Sequence, residues 1–394
     1  MPALGAVLPN PDPKSTTQTH EPTGSIAPIV WLLMGNRAGD NSQVLGLGEA
    51  LGWPLIEKHF DFQSYEKVVN LPWGAHLRGI KKERSTPMAA PWPDVVISAG
   101  RKNEPIARWI RKRALAEEGK RTRLIHIGRP WAAPTNWDLV ITTPQYRLPQ
   151  DPNILHNDTP LHRVTRARLD EDAKKWAERV ANLPRPLITV LCGGNSGPYL
   201  FDRPSGERLA VAADTLAQEF GGSLLVTTSK RTLPETTEAL FEGIQSPSIL
   251  YDWKPDDDNP FFAFLGLADR VIVTADSVSM MTEACVTQRP VYLYDTGEGM
   301  TSMKENPWLD GEAGPKVGDP KLGLSRWHLK AHIYRLTMRL GPQRLTRDIR
   351  IVQQLLIDTK RAVWLGDGHP APYPEPLRDM ERAVAAVKAL FATD

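Results

Sequence analysis

Two cysteines, Cys192 and Cys285, are all that the 394 residues contain. With no CxxC pair and no even series of spaced cysteines, the chain has no sign of a disulfide framework or a cysteine zinc site, and it fits a reducing compartment. Long apolar runs are absent as well. The longest, such as residues 29–34 and 291–294, fall far short of the roughly 18 residues of a membrane-spanning helix. No GxSxG elbow occurs, and neither His126 nor His162 has a triad partner at a readable spacing. Residues 1–24 lack the basic flank and apolar length of a secretory signal. They are rich in Pro and Thr and are expected to form a disordered tail. These absences point to a cytoplasmic protein with no membrane span, either free or peripheral on the inner face of the cytoplasmic membrane.

The length exceeds one ordinary core of about 100 to 200 residues, so two domains are expected. At 41% hydrophobic and 24% charged residues the composition is that of a globular chain. The net charge of +2 hides an asymmetry: residues 25–150 hold 18 Lys and Arg against 11 Asp and Glu, whereas residues 151–394 hold 29 against 33. A basic first half favours an anionic partner, such as a lipid headgroup, a phosphosugar or nucleic acid, through long-range attraction. The competing account of any one of these cations is a solvated helix face.

Short continuous apolar runs recur at residues 29–35, 94–100, 124–128 and 138–143, with helical patterns between them. Such strands, bounded by Gly and Pro, predict a parallel sheet covered on both faces. Residues 104–118 space Ile106, Ile110 and Leu115 at helical intervals among Arg108, Arg111, Lys112 and Arg113, a crossover helix. After a charged helix at 163–182 and a Pro-rich break, a second alternating set runs from 187–192 to 291–294, and helices are expected at 325–340, 347–365 and 377–391. The predicted fold class is α/β, two Rossmann-like doubly wound domains facing across a cleft. The expected organisation is a tail (1–24), a first Rossmann-like domain (25–165), a linker helix (166–185), a second Rossmann-like domain (186–342) and C-terminal helices (343–394) returning to the first domain.

Ligands of open α/β sheets bind at the carboxyl ends of the strands, so those loops supply the candidates. Gly193-Gly194-Asn195-Ser196-Gly197 follows one strand, and its glycines would let backbone N–H groups approach an anion. A plain glycine turn is the alternative. Thr227, Thr228, Ser229, Lys230 and Arg231 follow the next, hydroxyls and cations suited to phosphate oxygens. Asp276, Ser277, Ser279, Met280 and Glu283 begin a helix whose N-terminus suits a pyrophosphate, although capping by Asp276 or Ser277 would account for part of that pattern. Trp253, at another strand end, is placed to stack on a base or to pack in the core.

The stretch Ser279-Met-Met-Thr-Glu283-Ala-Cys-Val-Thr-Gln-Arg-Pro290 resembles the nucleotide-sugar signature of GT-B glycosyltransferases. The resemblance implies that Ser279 holds the diphosphate and Glu283 the ribose; Arg289 stands where that signature has Gly. Across residues 29–300 the chain is similar to the plant and proteobacterial family named after a plant mitochondrial fission factor of the Elm type. That similarity rests on Gly39-Asp-Asn-Ser-Gln43, Ser98-Ala-Gly-Arg101, His126-Ile-Gly-Arg-Pro130, Thr142-Thr-Pro144, Cys192-Gly-Gly194 and Ala275-Asp-Ser277.

In inverting GT-B enzymes the first strand-end loop often carries the general base, which makes Asp40 the candidate catalytic residue; capping of the following helix, 41–51, is its structural alternative. Asn41, Gln43, Arg101 and Lys102 are candidate acceptor ligands. Gly46-Leu-Gly48 lies inside a helix, where glycines serve packing. His328 with His332 lacks a third metal ligand, and Asp256-Asp-Asp258 reads as a solvated turn. No metal and no cofactor is expected beyond a nucleotide diphosphate sugar as co-substrate. The expected partners are that donor and an anionic membrane surface or lipid-linked acceptor, with no nucleic acid. Three functions remain open at this stage: a metal-independent glycosyltransferase acting on a cell-envelope or lipid-linked acceptor, a nucleotide-sugar 2-epimerase, and a non-catalytic adaptor.

Overall fold

A computed structural model describes residues 27–64, 74–255, 257–298, 301–304, 326–341, 346–371 and 374–392. The expected tail at 1–24, residues 299–300 and 305–323 of the Gly- and Pro-rich loop, and Asp256 lie outside the described residues, as do the side chains of 326–328, 330 and 339.

The first half is a six-stranded sheet built from β1 (Val30–Met34), β2 (Leu55–His59), β3 (Val95–Ala99), β4 (Arg123–Ile127), β5 (Leu139–Thr142) and β6 (Ile154–His156), in the order β2-β1-β3-β4-β5-β6. Every pairing is parallel. The continuous apolar character of the central strands has the reason expected of them, since both faces are covered. Val30, Leu32 and Met34 point into one core with α1 (Ala38–Leu51), while Trp31 and Leu33 point into another beneath α2 (Glu104–Glu118). The helix α1 starts three residues earlier than the sequence pattern suggested, with Arg37 rather than Asp40 at its N-cap. Its two inner glycines serve close packing. A Cβ on Gly46 would sit 2.3 Å from the His162 carbonyl oxygen, and one on Gly48 would sit 2.8 Å from Leu32.

The linker helix α3 (Arg166–Val180) is capped by Thr165, whose hydroxyl accepts from Arg168 N–H. It packs through Trp176 and Val180 on Phe264 of α6 (Phe261–Leu267). The second half comprises β7 (Leu187–Leu191), α4 (Arg203–Phe220), β8 (Ser223–Thr227), α5 (Pro234–Gly243), β9 (Ser248–Tyr251), α6, β10 (Arg270–Thr274), α7 (Val278–Val286) and β11 (Val291–Tyr294). Then follow α8 (Arg326–Leu340), α9 (Arg350–Asp358), β12 (Val363–Trp364) and α10 (Asp379–Ala389). The strand order is β12-β11-β10-β7-β8-β9, again with only parallel pairs. Alternate residues of β7 and β10 feed opposite cores, Leu191 and Val273 on one side and Val190 and Ile272 on the other.

The expected single helix at 347–365 is instead α9 followed by the edge strand β12, because Val363 and Trp364 pair with Tyr292 and Leu293. This strand carries the second sheet beyond residue 342, the expected end of that domain. α9 packs on the second sheet through Val352 and Leu356. α10 packs on the first, where Ala383 and Val387 join the core around Val30. Asp379 fixes that return, accepting from the N–H groups of Asp158 and Thr159 and from the Thr159 hydroxyl at 2.7 to 3.0 Å.

Candidate functional site at the two switch points

A doubly wound sheet opens a crevice where its strand order reverses direction. In the second sheet that point lies between β7 and β10, the strands that lead into Gly193 and Asp276; in the first it lies between β1 and β3, which lead into Asp40 and Gly100. The topology therefore singles out the same four loops as the polar residues do.

In the second sheet the loops are fastened to each other. Gly193 N–H donates to Thr274 Oγ1 at 2.7 Å and Gly194 N–H to Asp276 Oδ2 at 3.0 Å. This corrects the expectation that these two amides are held for an anion, since both are spent on the neighbouring loop. The glycines are required for close approach: a Cβ at Gly193 would lie 2.4 Å from Asp276 Oδ1, and one at Gly194 would lie 2.1 Å from the Arg231 carbonyl oxygen. Asn195 is likewise committed, its Oδ1 accepting from Phe201 N–H at 2.7 Å. Ser196 closes a tight turn through reciprocal backbone bonds with Tyr199.

Asp276 is buried and structural. It takes the Gly194 amide, the Thr274 hydroxyl at 2.7 Å and the Arg231 guanidinium at 3.0 Å. Arg231 keeps 42% of its side chain exposed, so it is anchored at one edge and open at the other. Ser229 donates to the Gly193 carbonyl at 2.7 Å. Thr228 donates to Asp252 and accepts from Trp253 N–H, both at 2.8 Å, which places the half-buried Trp253 beside the ends of β8 and β9.

The N-terminus of α7 is left open. Asp276 turns back to the 193 loop, and the N-cap Ser277 makes no side-chain capping bond, so capping does not account for this segment. The first amides of the helix and its positive dipole end face the crevice. Ser279 is half-buried there, whereas Met280 packs toward the core. One turn after Ser279, Glu283 is 8% exposed, and among the described residues nothing hydrogen-bonds to its carboxylate. Burial pushes its pKa up to about 8, against the opposing charge of Arg168 of the linker helix. An unpaired buried acid is costly and clusters at functional sites.

In the first sheet, Asn41 staples its own loop, accepting from Gly35 N–H at 2.8 Å and donating to the Gly35 carbonyl at 2.9 Å. One amide hydrogen and one acceptor lone pair of Asn41 remain for a ligand beside these two bonds. Gln43 donates to the Gly39 carbonyl at 3.3 Å. Asp40, half-buried in the first turn of α1, rests against Gly100, where a Cβ would come within 2.6 Å of Asp40 Oδ2 and φ is +70°. Burial raises the Asp40 pKa, and Arg37 and Arg347 oppose the rise. Arg101 stacks on Trp131 and Lys102 on Phe62, each at 5.0 Å.

The two switch points meet. A Cβ on Gly39 would lie 3.8 Å from Ser279 Oγ, so the N-termini of α1 and α7 approach the same gap from opposite sheets. The segment after α8 ties the sides together: Arg129 donates to the Thr346 carbonyl at 2.8 Å, Arg147 pairs with Asp348 at 3.1 Å, and Gln353 donates to the Ala275 carbonyl at 2.7 Å. Sequence reasoning missed Arg37, Arg347 and Arg168, the cations that act on Asp40 and Glu283; Arg37 stands in the same loop as Asp40, but Arg347 and Arg168 are far from their acids in the chain. His126 is a core residue, packed on Trp137 at 4.5 Å with its pKa lowered to about 3 by burial. Among the described residues no group of three His, Cys, Asp or Glu could hold a metal ion.

Each half is a parallel, doubly wound α/β sheet whose strand order reverses at a switch point, and the two switch points lie close together. The model of the family described as mitochondrial fission ELM1 matches residues 38–306, and the chain belongs to that family. Mitochondrial fission protein ELM1 of Arabidopsis thaliana is 28% identical over 225 residues, a match spanning 51% of this chain and about half (51%) of the plant protein's length. Among solved structures, UDP-N-acetylglucosamine 2-epimerase from Rickettsia bellii is 12% identical, covering 93% of this chain and 96% of that chain with a TM-score of 0.44. A glycosyltransferase from Rickettsia africae is 12% identical, covering 93% and 99% with a TM-score of 0.43.

Proposed function

We propose that the protein transfers a sugar from a nucleotide diphosphate sugar to a hydroxyl acceptor, a cell-envelope or lipid-linked glycan. The observation that carries this reading is the buried, unpaired Glu283 one turn inside the open N-terminus of α7, at the switch point of the second sheet. A ribose diol can both donate to and accept from such a buried carboxyl group, and the helix N-terminus offers amides and positive potential to the diphosphate four residues earlier. Trp253 and Ser229 flank the same edge, and the open side of Arg231 supplies a cation for the leaving diphosphate, so that charge is neutralised by fixed dipoles and guanidinium. Asp40 faces this arrangement from the other sheet. Its raised pKa makes the carboxylate a stronger base toward an attacking hydroxyl than a solvated aspartate is.

Calorimetry with UDP, GDP, ADP and CDP tests the donor site: one of them binds the wild type, and Glu283→Ala abolishes the binding. Unchanged binding in the variant removes Glu283 from the site. Incubation with UDP-N-acetylglucosamine alone separates the reactions, because an epimerase alters the sugar without an acceptor and a transferase does not. Failure of every nucleotide to bind favours a non-catalytic adaptor.

A further inference from the structure

Arginines gather where residues 346–348 cross the strand-end loops of the first sheet. Arg129, after β4, donates through Nη1 to the Thr346 carbonyl at 2.8 Å, and the Asp348 N–H donates to the Gln145 carbonyl, after β5, at 3.1 Å. Asp348 is already divided between Arg147 at 3.1 Å and Arg350 at 3.0 Å. That leaves Arg129 and Arg347, both half-buried. Neither makes a salt bridge among the described residues, and the Nε and Nη2 edge of Arg129 makes no hydrogen bond among them.

Two tyrosines complete the cluster from opposite sides of the crevice. Tyr146 lies against Gly128 of the first sheet, its Oη 3.8 Å from where a Cβ on that glycine would stand, and the Tyr334 ring covers Gly197 of the second sheet, 3.3 Å from the corresponding point. Burial lowers the Arg129 pKa; Tyr146 and Tyr334 oppose that shift, and the like charge of Arg347 adds to it. Two half-buried guanidinium groups side by side without a carboxylate are costly unless an anion joins them. We propose that Arg129 and Arg347, with the Tyr146 and Tyr334 hydroxyls, form an anion site for a phosphate group carried by the acceptor. The open edge of Arg129 suits two phosphate oxygens at once, and tyrosine hydroxyls can donate to a third. A carboxylate would fill that edge but balance only one of the two charges.

Arg129 and Tyr146 stand on the first sheet with Asp40, whereas the N-terminus of α7 and Arg231 stand on the second. Arg347 acts on Asp40 as well as on Arg129, opposing the rise of the Asp40 pKa. A phosphate bound between the two arginines would neutralise that charge and leave Asp40 the stronger base once the acceptor is in place. Assignment of the phosphate to an acceptor rests on the transferase reading; anion binding by the arginines does not.

Calorimetry on the full chain, in chloride at constant ionic strength, tests the proposal with inorganic phosphate, and with glucose as the uncharged control. Phosphate should bind the wild type and glucose should not. Arg347→Gln should bind phosphate at least about ten-fold more weakly with an unchanged thermal midpoint. Arg129→Lys, which keeps a donor for the Thr346 carbonyl but loses the two-pronged edge, should weaken it as well. Tighter binding of glucose 1-phosphate than of inorganic phosphate marks a sugar-borne group, and tighter binding of farnesyl diphosphate than of inorganic pyrophosphate marks a lipid-borne one; either supports the site. No binding of phosphate, or equal binding by Arg347→Gln, overturns the proposal. So does phosphate binding that is lost in Glu283→Ala or displaced by a bound nucleoside diphosphate, since it would assign the anion to the donor. Phosphate binding by a protein that binds no nucleotide would leave the anion site standing and remove the transferase reading alone.

Discussion

Replacing Glu283 by Gln should make the protein more stable at neutral and alkaline pH. In the unfolded chain this side chain ionises near its ordinary value of 4.5, whereas in the folded protein burial holds it protonated up to about 8. Below pH 4.5 both states carry the proton, and the carboxyl gives no pH dependence. Between these values the unfolded state is ionised and the folded state is not, so stability falls as pH rises. Above pH 8 the folded protein carries a buried charge that Arg168 only partly offsets, and the loss is complete. At about 1.4 kcal/mol per pH unit the interval amounts to roughly 5 kcal/mol, a ceiling that local hydration lowers. Gln has nearly the same shape as the protonated acid and cannot ionise. The variant should match the wild type near pH 4 and exceed it progressively to pH 8, by several degrees in thermal midpoint. Urea denaturation of both proteins from pH 4 to 9, followed by far-ultraviolet circular dichroism, measures the difference. A gap that is constant with pH, or a less stable variant at pH 8, would refute the argument that an unpaired acid is held there at a cost to the fold.

Asp40→Asn should leave nucleotide binding intact and remove sugar transfer, a loss of about 100-fold or more if the carboxylate is the base; intact turnover in a radiolabelled transfer assay would sink that role. Gly46→Ala should destabilise by about 1 to 3 kcal/mol, because its Cβ would press on the His162 backbone, without changing nucleotide affinity. Gly194→Ala should impair both, since its Cβ would collide with the Arg231 backbone that the donor edge depends on. Equal effects of the two glycine substitutions on nucleotide affinity would contradict the assignment of separate packing and site roles.

The central strands of both sheets were legible because burial on two faces imposes runs such as Val95-Val-Ile97 in β3 and Val271-Ile-Val273 in β10. Of the edge strands, β9 was legible as the short apolar run at 249–251, whereas β2, β6 and β12 were not. In β2, Leu55 and Ile56 are exposed and Glu57 and Lys58 interrupt the run; β6 has three residues and β12 two. Strands paired on one side only need little apolar sequence, and β12 followed a helix closely enough to read as its end. At the site, the strand-end loops could be placed from sequence, but not how they are spent. The pairing of Gly194 with Asp276, and the approach of Gly39 to Ser279, join residues far apart in the chain. No periodicity encodes such contacts, so amides expected for a ligand proved to be satisfied by a neighbouring loop, while the open group was the acid inside α7.

The claim that Glu283 and the α7 N-terminus form a nucleotide-sugar site is tested most directly by a thermal-shift panel of UDP, GDP, ADP and CMP sugars. Wild type and Glu283→Ala are compared after circular dichroism shows both to be folded. A ligand that binds only the native state raises its midpoint. The account predicts that at least one of these sugars stabilises the wild type and that the shift vanishes in the variant. No shift with any of them, or the same shift in both proteins, would contradict it.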